Sequence, residues 1–413
     1  LISTLKIFTN LFSDFQAESC SGETSMSTGV REKSENALAG VDYNKMKGFK
    51  EAMQQVSART KHLCEERNVQ VLPAINAHGA GYRYTGRKSH MWVITKEGLG
   101  NKAWIAMLLN QIGLEDPTGR FHFGGLGIDT FLMGANDNAA HGAMPVILTD
   151  EVSCGSDDFF STPQAKALAA SYEHACYMAG CSLVQGESPA YKYLMKAEPP
   201  VQYAPSMSVA VVGLCAPAKR YITAKKLRPG DVMIGFTSSG LHANGISPVI
   251  RRVMPLPDNF LTKLNGWTVG QEALIPTRSY LGLVDAFAEN GIDVHAHLPI
   301  TGDGIGKIGS DERFSYTVHT WLQDSRIPPL FRFMLEIGMT REGIAETFNC
   351  GIGWVTFVPK SQVQKAMDIA LTTKIDGEEA AYEPIEIGYV NGGSATGTIF
   401  SPWGLALPPP GRK

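Results

Sequence analysis

ITKEGLGNKAWIA, residues 94–106, breaks an apolar run with a Gly-x-Gly turn and then resumes with helical spacing. The run MWVIT (91–95) reads as a strand, and 101–113 as a helix with Trp104, Leu108 and Ile112 on one face. In such a turn Gly98 and Gly100 would let the backbone approach an anion at a helix N-terminus, where free N–H groups and the helix dipole favour phosphate. Lys102 would then reach phosphate oxygens, and Glu97 would hold the magnesium that accompanies them. The alternative is an ordinary glycine-containing turn with solvated charges.

Around this unit, short apolar runs alternate with longer periodic ones, which argues for mixed α and β structure. Strands are expected at 69–75, 91–95, 145–150, 181–185 and 207–215, and helices at 126–141 and at 164–179 with Gly180 as C-cap. A second set starts near residue 231. DVMIGFTSSG, IDVHAH, FSYTVHTW, GIGWVTFVP and EIGYVN read as strands; RSYLGLVDAFAENG, closed by Gly291, together with 328–337 and 361–371 read as helices. The join falls near 216–228, where a proline follows a strand and basic residues collect.

With 413 residues the chain exceeds what one growing core holds, so two domains are expected. The division is 36–216 and 217–400, between a flexible extension (1–35, with Met26 nearer the natural start) and a flexible tail (401–413). A net charge of −3 gives no broad basic surface for nucleic acid. No apolar run is long enough to span a membrane. Seven cysteines without a C-x-x-C pair fit reduced thiols in a cytoplasmic setting better than zinc or disulfides.

Four further segments carry polar chemistry. In GIDTFLMGANDNAAHGAMP (127–145), Asn136 and Asp137 interrupt an apolar helix, and a buried carboxylate needs a partner charge or a metal. Glu187 in GCSLVQGES (180–188) emerges at a strand end, so Glu97, Asp137 and Glu187 are expected to converge on magnesium. TSSGLHANG (237–245) offers Ser238, Ser239, His242 and Asn244 to a phosphate or polar substrate. ITGDG (300–304) adds Thr301 in another anion-receptive turn. Each also has a plain structural reading, as a cap, a turn or an exposed loop. Cys350 in FNCGIGW reads as a packed thiol rather than a nucleophile.

Taken in order, AGVDYNKM (39–46), TKEGLGNK (95–102), GID (127–129), NDNAAHGAMP (136–145), GCSLVQGES, SSGLHANG (238–245), IDVHAHLPITGDG (292–304) and FNCGIG (348–353) resemble the aminoimidazole ribonucleotide synthetase family, also called phosphoribosylformylglycinamidine cyclo-ligase. The resemblance implies a homodimer of two α/β domains, the N-terminal one binding ATP and lending strands to a dimer barrel. It implies ATP-dependent, magnesium-dependent closure of formylglycinamidine ribonucleotide in purine synthesis. The amide oxygen is phosphorylated and an amine of the same molecule displaces the phosphate. In these terms Lys102, Asp137 and His242 are the catalytic candidates. Gly79, Gly81, Gly98, Gly100, Lys102 and Asn136 are the ATP-binding candidates; Ser238, Ser239, His242, Asn244 and Thr301 the substrate-binding ones; and Glu97, Asp137 and Glu187 the metal ligands.

This chain also departs from the family pattern. Glu97 stands where D-G-x-G-T-K has Asp, Asn101 replaces Thr, Gln185 and Ser188 alter G-G-E-T, and the upstream glycine-rich loop is reduced to HGAGY (78–82). Pro299 and Asp303 stand where many members have a histidine and a glycine, so His295 or His297 would have to serve as proton shuttle, or the substrate differs. Rival readings are another ATP-dependent substrate-activating enzyme on the same scaffold, or a non-catalytic nucleotide-binding homologue.

Overall fold

A computed structural model describes residues 34–72, 81–116 and 122–411. The expectations for residues 1–33, 73–80 (with Gly79), 117–121 and 412–413 lie outside them.

Val69–Val71 (β1) lies in the expected strand 69–75, whose residues 73–75 fall outside the described ones, and pairs with Tyr82–Tyr84 (β2) in a small ribbon. The first main sheet has four strands in the order β3 (Met91–Leu99), β6 (Pro205–Cys215), β4 (Met144–Cys154), β5 (Ser182–Glu187). The β3/β6 and β6/β4 pairs are antiparallel and β4/β5 is parallel. The helix Leu126–Ala140 lies on one face of this sheet, buried on almost every side, as expected of a sequence without a polar stripe. Two glycines permit that closeness: a Cβ on Gly127 would lie 2.6 Å from the Tyr172 nitrogen, and one on Gly134 would lie 2.9 Å from Val211 Cγ2. Helix Pro163–Ala179 packs beside it, capped by Thr162 and ended by left-handed Gly180 as expected. The opposite face of β3 exposes Trp92 and Ile94, the latter 70% exposed.

The second sheet has seven strands in the order β10 (Ala296–Pro299), β12 (Ile352–Val358), β7 (Val232–Thr237), β13 (Pro384–Asn391), β11 (Ser315–Val318), β14 (Gly397–Phe400), β15 (Leu405–Leu407). Only β11/β14 is parallel. A short ribbon, Lys263–Leu264 (β8) with Trp267–Thr268 (β9), stands apart. Helices Leu281–Glu289 and Val363–Thr372 pack on each other, and the second also covers β7 and β13.

Two expectations are corrected, and one element is unforeseen. The strand beginning at Met91 does not break after Thr95: Glu97 and Gly98 pair with Val209 and Ser208, and the strand runs to Leu99. Residues 401–411 are not a loose tail, because β15 pairs with β14 and Leu407 is buried. An unforeseen helix, Tyr43–Thr60, buries Met46, Phe49, Met53, Val56 and Thr60. Their spacing of three or four residues is a helical stripe.

Candidate functional site

Lys102 opens the helix Lys102–Gln111, yet its amine does not face an open turn. It is wholly buried, with Nζ 2.7 Å from Asp129 Oδ2, and it donates to the carbonyls of His242 (3.0 Å) and Ile275 (2.8 Å). Asp129 also accepts from Thr277, at 2.8 Å from the amide and 2.6 Å from the hydroxyl. Burial pulls the lysine below its ordinary pKa and the carboxyl above its own, and their mutual attraction opposes both shifts. A side chain with these three contacts ties the first half of the chain to the 242–277 segment. The phosphate-contacting role expected of Lys102 does not fit this position.

Asn136 is a second tie. Its amide donates to Arg278 O (3.0 Å) and accepts from Tyr280 N (3.1 Å), which leaves it little capacity for a nucleotide. His242 has a left-handed backbone (φ 63°) and a buried ring whose Nε2 accepts from the Ser239 and Arg278 amides, both at 3.4 Å. Burial, and then the Arg278 and Lys102 charges, lower its pKa to about 3. The ring is therefore a neutral acceptor that shapes its loop, not a proton carrier near neutrality. Ser238 donates to Gly240 O (3.0 Å) and bonds Asn349 Oδ1 (3.1 Å), and Ser239 donates to Pro276 O (2.5 Å). Asn244 is half-buried. Just before Lys102, Asn101 Nδ2 donates to Ser247 Oγ at 2.9 Å.

The acids divide into two groups. Glu97 and Asp137 are electrostatic neighbours, and each has its pKa raised, first by burial. Lys307, in the seven-residue 3-10 helix Gly304–Ser310, is an electrostatic neighbour of both and lowers both. Its amine donates to Thr301 Oγ1, so Thr301 does join this group. Glu187 does not. The register runs Glu97, Val209, Asp150, Gly186 across four strands, and Glu187 pairs with Glu151 one step on. Three inter-strand spacings put it about 14 Å from Glu97, and alternation turns it to the other face. Among the described residues no three His, Cys, Asp or Glu side chains form a metal-binding group, so the expected three-acid convergence is not found within the chain.

Glu97 and Asp137 still fit magnesium held with a nucleotide. That ion takes one or two carboxylates plus phosphate oxygens, and two desolvated carboxylates near each other favour a cation. Gly100 leaves the backbone beside them open, since a Cβ there would meet nothing within 4 Å. Gly98 lies inside the strand, and Gly81 is exposed beside β2.

The two histidines proposed as shuttles are buried elsewhere. His295 Nδ1 bonds Asp231 at 2.7 Å, and His297 Nδ1 bonds Thr356 Oγ1 at 2.9 Å. Burial holds His297 down to about 3. Asp129, Arg278 and Lys307 are not picked out by the sequence, although Asp129 lies within a quoted motif and Lys307 follows one; Asn349, supplied by FNCGIGW, braces the 238–241 loop.

The fold and this arrangement define a class: a two-sheet α/β protein with an acid pair and a lysine brought together from its two halves. Residues 83–215 match the family model "AIR synthase related protein, N-terminal domain". The phosphoribosylformylglycinamidine cyclo-ligase of Clostridium perfringens (strain 13 / Type A) is 30% identical over 320 residues, covering 75% of this chain and 84% of that protein. The chain belongs to the AIR synthase related family. The fold is shared with the hydrogenase maturation protein HypE in complex with ATP (TM-score 0.54, 14% identity, 80% of this chain and 88% of that one). It is also shared with thiamine-monophosphate kinase from Stenotrophomonas maltophilia K279a (TM-score 0.52, 17% identity, 84% and 96%). Among the described residues no helix is long and apolar enough to cross a membrane.

Proposed function

We propose that this chain is an ATP-dependent cyclo-ligase that closes formylglycinamidine ribonucleotide to aminoimidazole ribonucleotide. The observation that carries the reading is the likeness to a cyclo-ligase over 84% of that enzyme's length. The grouping of Glu97, Asp137, Thr301 and Lys307 supports it. Glu97 and Asp137 would hold magnesium, which when bound supplies charge neutralisation at the triphosphate.

The chain's own residues then orient and exclude water. Lys102, Asp129 and Asn136 fix the two halves against each other, and the 238–244 loop, braced by Asn349, presents backbone groups to the ribonucleotide. The nucleophile belongs to the substrate, so positioning supplies most of the rate. No protein nucleophile is needed: Cys350 is fully buried, and burial raises its thiol pKa. The exposed apolar face of β3, with Trp92 and Ile94, fits the homodimer the family uses.

A second reading, the same ATP chemistry on another small substrate, is favoured by Pro299 and by the burial of His295 and His297. The test is ADP release with and without formylglycinamidine ribonucleotide, with thiamine phosphate as a control. Release that needs formylglycinamidine ribonucleotide supports the cyclo-ligase. Release with thiamine phosphate alone supports the second reading, and nucleotide binding without turnover points to a non-catalytic homologue.

A further inference from the structure

The acid pair lacks the phosphate-binding cation that the turn at 95–102 promised, because the Lys102 amine is committed to Asp129 and two carbonyls. Lys307 is placed for that work. It stands on a glycine-rich support that admits little movement. Gly304 has φ 54°, and a Cβ there would fall 2.5 Å from Ala345 O and 2.7 Å from Phe348 N. Gly309 packs so closely that a Cβ would lie 2.9 Å from Gly397 Cα in β14. The 304–310 stretch is thereby locked between the 345–348 segment and the sheet of the second half. From there the half-buried Lys307 side chain, its amine held by Thr301 Oγ1, acts electrostatically on the acids of the first half without pairing with them.

Lys307 lies within the field of Glu97, Asp137 and Asp303 and yet forms no ion pair with any of them. Two carboxylates facing an ammonium outside pairing distance match a ligand that is positive on one side and negative on the other. A free divalent cation satisfies the acids and is repelled by the amine. A metal-free phosphate satisfies the amine and is repelled by the acids. A metal-bound polyphosphate satisfies both.

We infer that Lys307 is the phosphate-binding cation of this site, contacting an oxygen of a nucleoside triphosphate whose divalent metal rests on Glu97 and Asp137. The inference rests on the ATP reading above and deepens it, since the second half of the chain then supplies a nucleotide ligand and closes the two halves on the bound complex.

The test is calorimetric titration of the full chain with magnesium plus a non-hydrolysable ATP analogue and, separately, with magnesium alone. Circular dichroism checks the fold of each variant. Lys307→Met should weaken the magnesium–nucleotide complex at least about tenfold, the loss of one charge-assisted hydrogen bond. The same variant should bind free magnesium more tightly, because the repelling charge is gone. Lys307→Arg should restore most of the nucleotide affinity, and Lys307→Gln replaces the Met variant if that fails to fold. Equal nucleotide affinity in wild type and Lys307→Met, or weakening of metal and nucleotide alike, overturns the role of Lys307 and leaves the ATP reading standing. Absence of nucleotide binding by the wild type overturns both.

Discussion

Lys102 and Asp129 meet at 2.7 Å with both side chains at 0% exposure, and both turn their remaining capacity to the 242–277 segment. A lysine in a glycine-flanked turn thus acts as a pin between the halves of the molecule. Removing one member leaves an uncompensated buried charge. Lys102→Met is expected to destabilise the protein by about 3–5 kcal/mol. Thermal unfolding checks this. An unchanged melting temperature would mean that the pin carries no load.

Asp137→Asn is expected to weaken binding of the magnesium–ATP complex at least about tenfold, the scale of one lost charge-assisted contact. The fold should stay intact, because Asp137 is only partly buried and its side chain has no hydrogen bond among the described residues. Calorimetry alongside circular dichroism measures both. Full affinity in this variant would remove Asp137 from the metal site.

Asp150 makes stability depend on pH. Its carboxyl is buried with Oδ1 lacking a hydrogen-bond partner among the described residues, and burial, then the Glu187 and Glu151 charges, push its pKa up to about 7 from an ordinary 3.8. Between those values the folded state holds a proton that the unfolded chain has released, so stability falls as pH rises from about 4 to about 7. Asp150→Asn removes this dependence and should stabilise the protein at pH 8 by on the order of 2–4 kcal/mol. The gain should vanish near pH 4. Denaturant melts at the two pH values give the comparison, and equal gains at both would contradict the assignment.

Gly304→Ala tests the support under Lys307. Its left-handed φ of 54° and the backbone atoms at 2.5 and 2.7 Å leave no room for a methyl group. Strain of about 1–3 kcal/mol is expected from the backbone conformation alone. Nucleotide affinity should fall with it. A variant of normal stability and affinity would show that the turn is not rigid.

Much of the fold is legible because its strands are apolar runs with clear ends: DVMIGFTSSG, GIGWVTFVP and EIGYVN each overlap a strand, at 232–237, 352–358 and 384–391. The Gly-x-Gly turn was misread at Glu97 because glycine usually punctuates, whereas Gly98 here sits in register with Ser208 on an edge strand that needs pairing on one side only. The stripe of Met46, Phe49, Met53 and Val56 was readable and was passed over. The site was harder. A sequence shows that Lys102 and Lys307 both lie near glycines, but which amine is buried depends on a partner such as Asp129, and that pairing exists only in the folded chain. Glu187 groups with the other acids by its place at a strand end, and only the strand order and register separate it from them.

In the proposed reaction the substrate's amide oxygen is activated by ATP and leaves as phosphate. The direct measurement uses formylglycinamidine ribonucleotide carrying oxygen-18 in its formyl group, with ATP and magnesium, and mass analysis of the phosphate released. The label should appear in inorganic phosphate, with one ADP and one aminoimidazole ribonucleotide formed for each. Unlabelled phosphate, or ADP release that ignores the ribonucleotide, would contradict it.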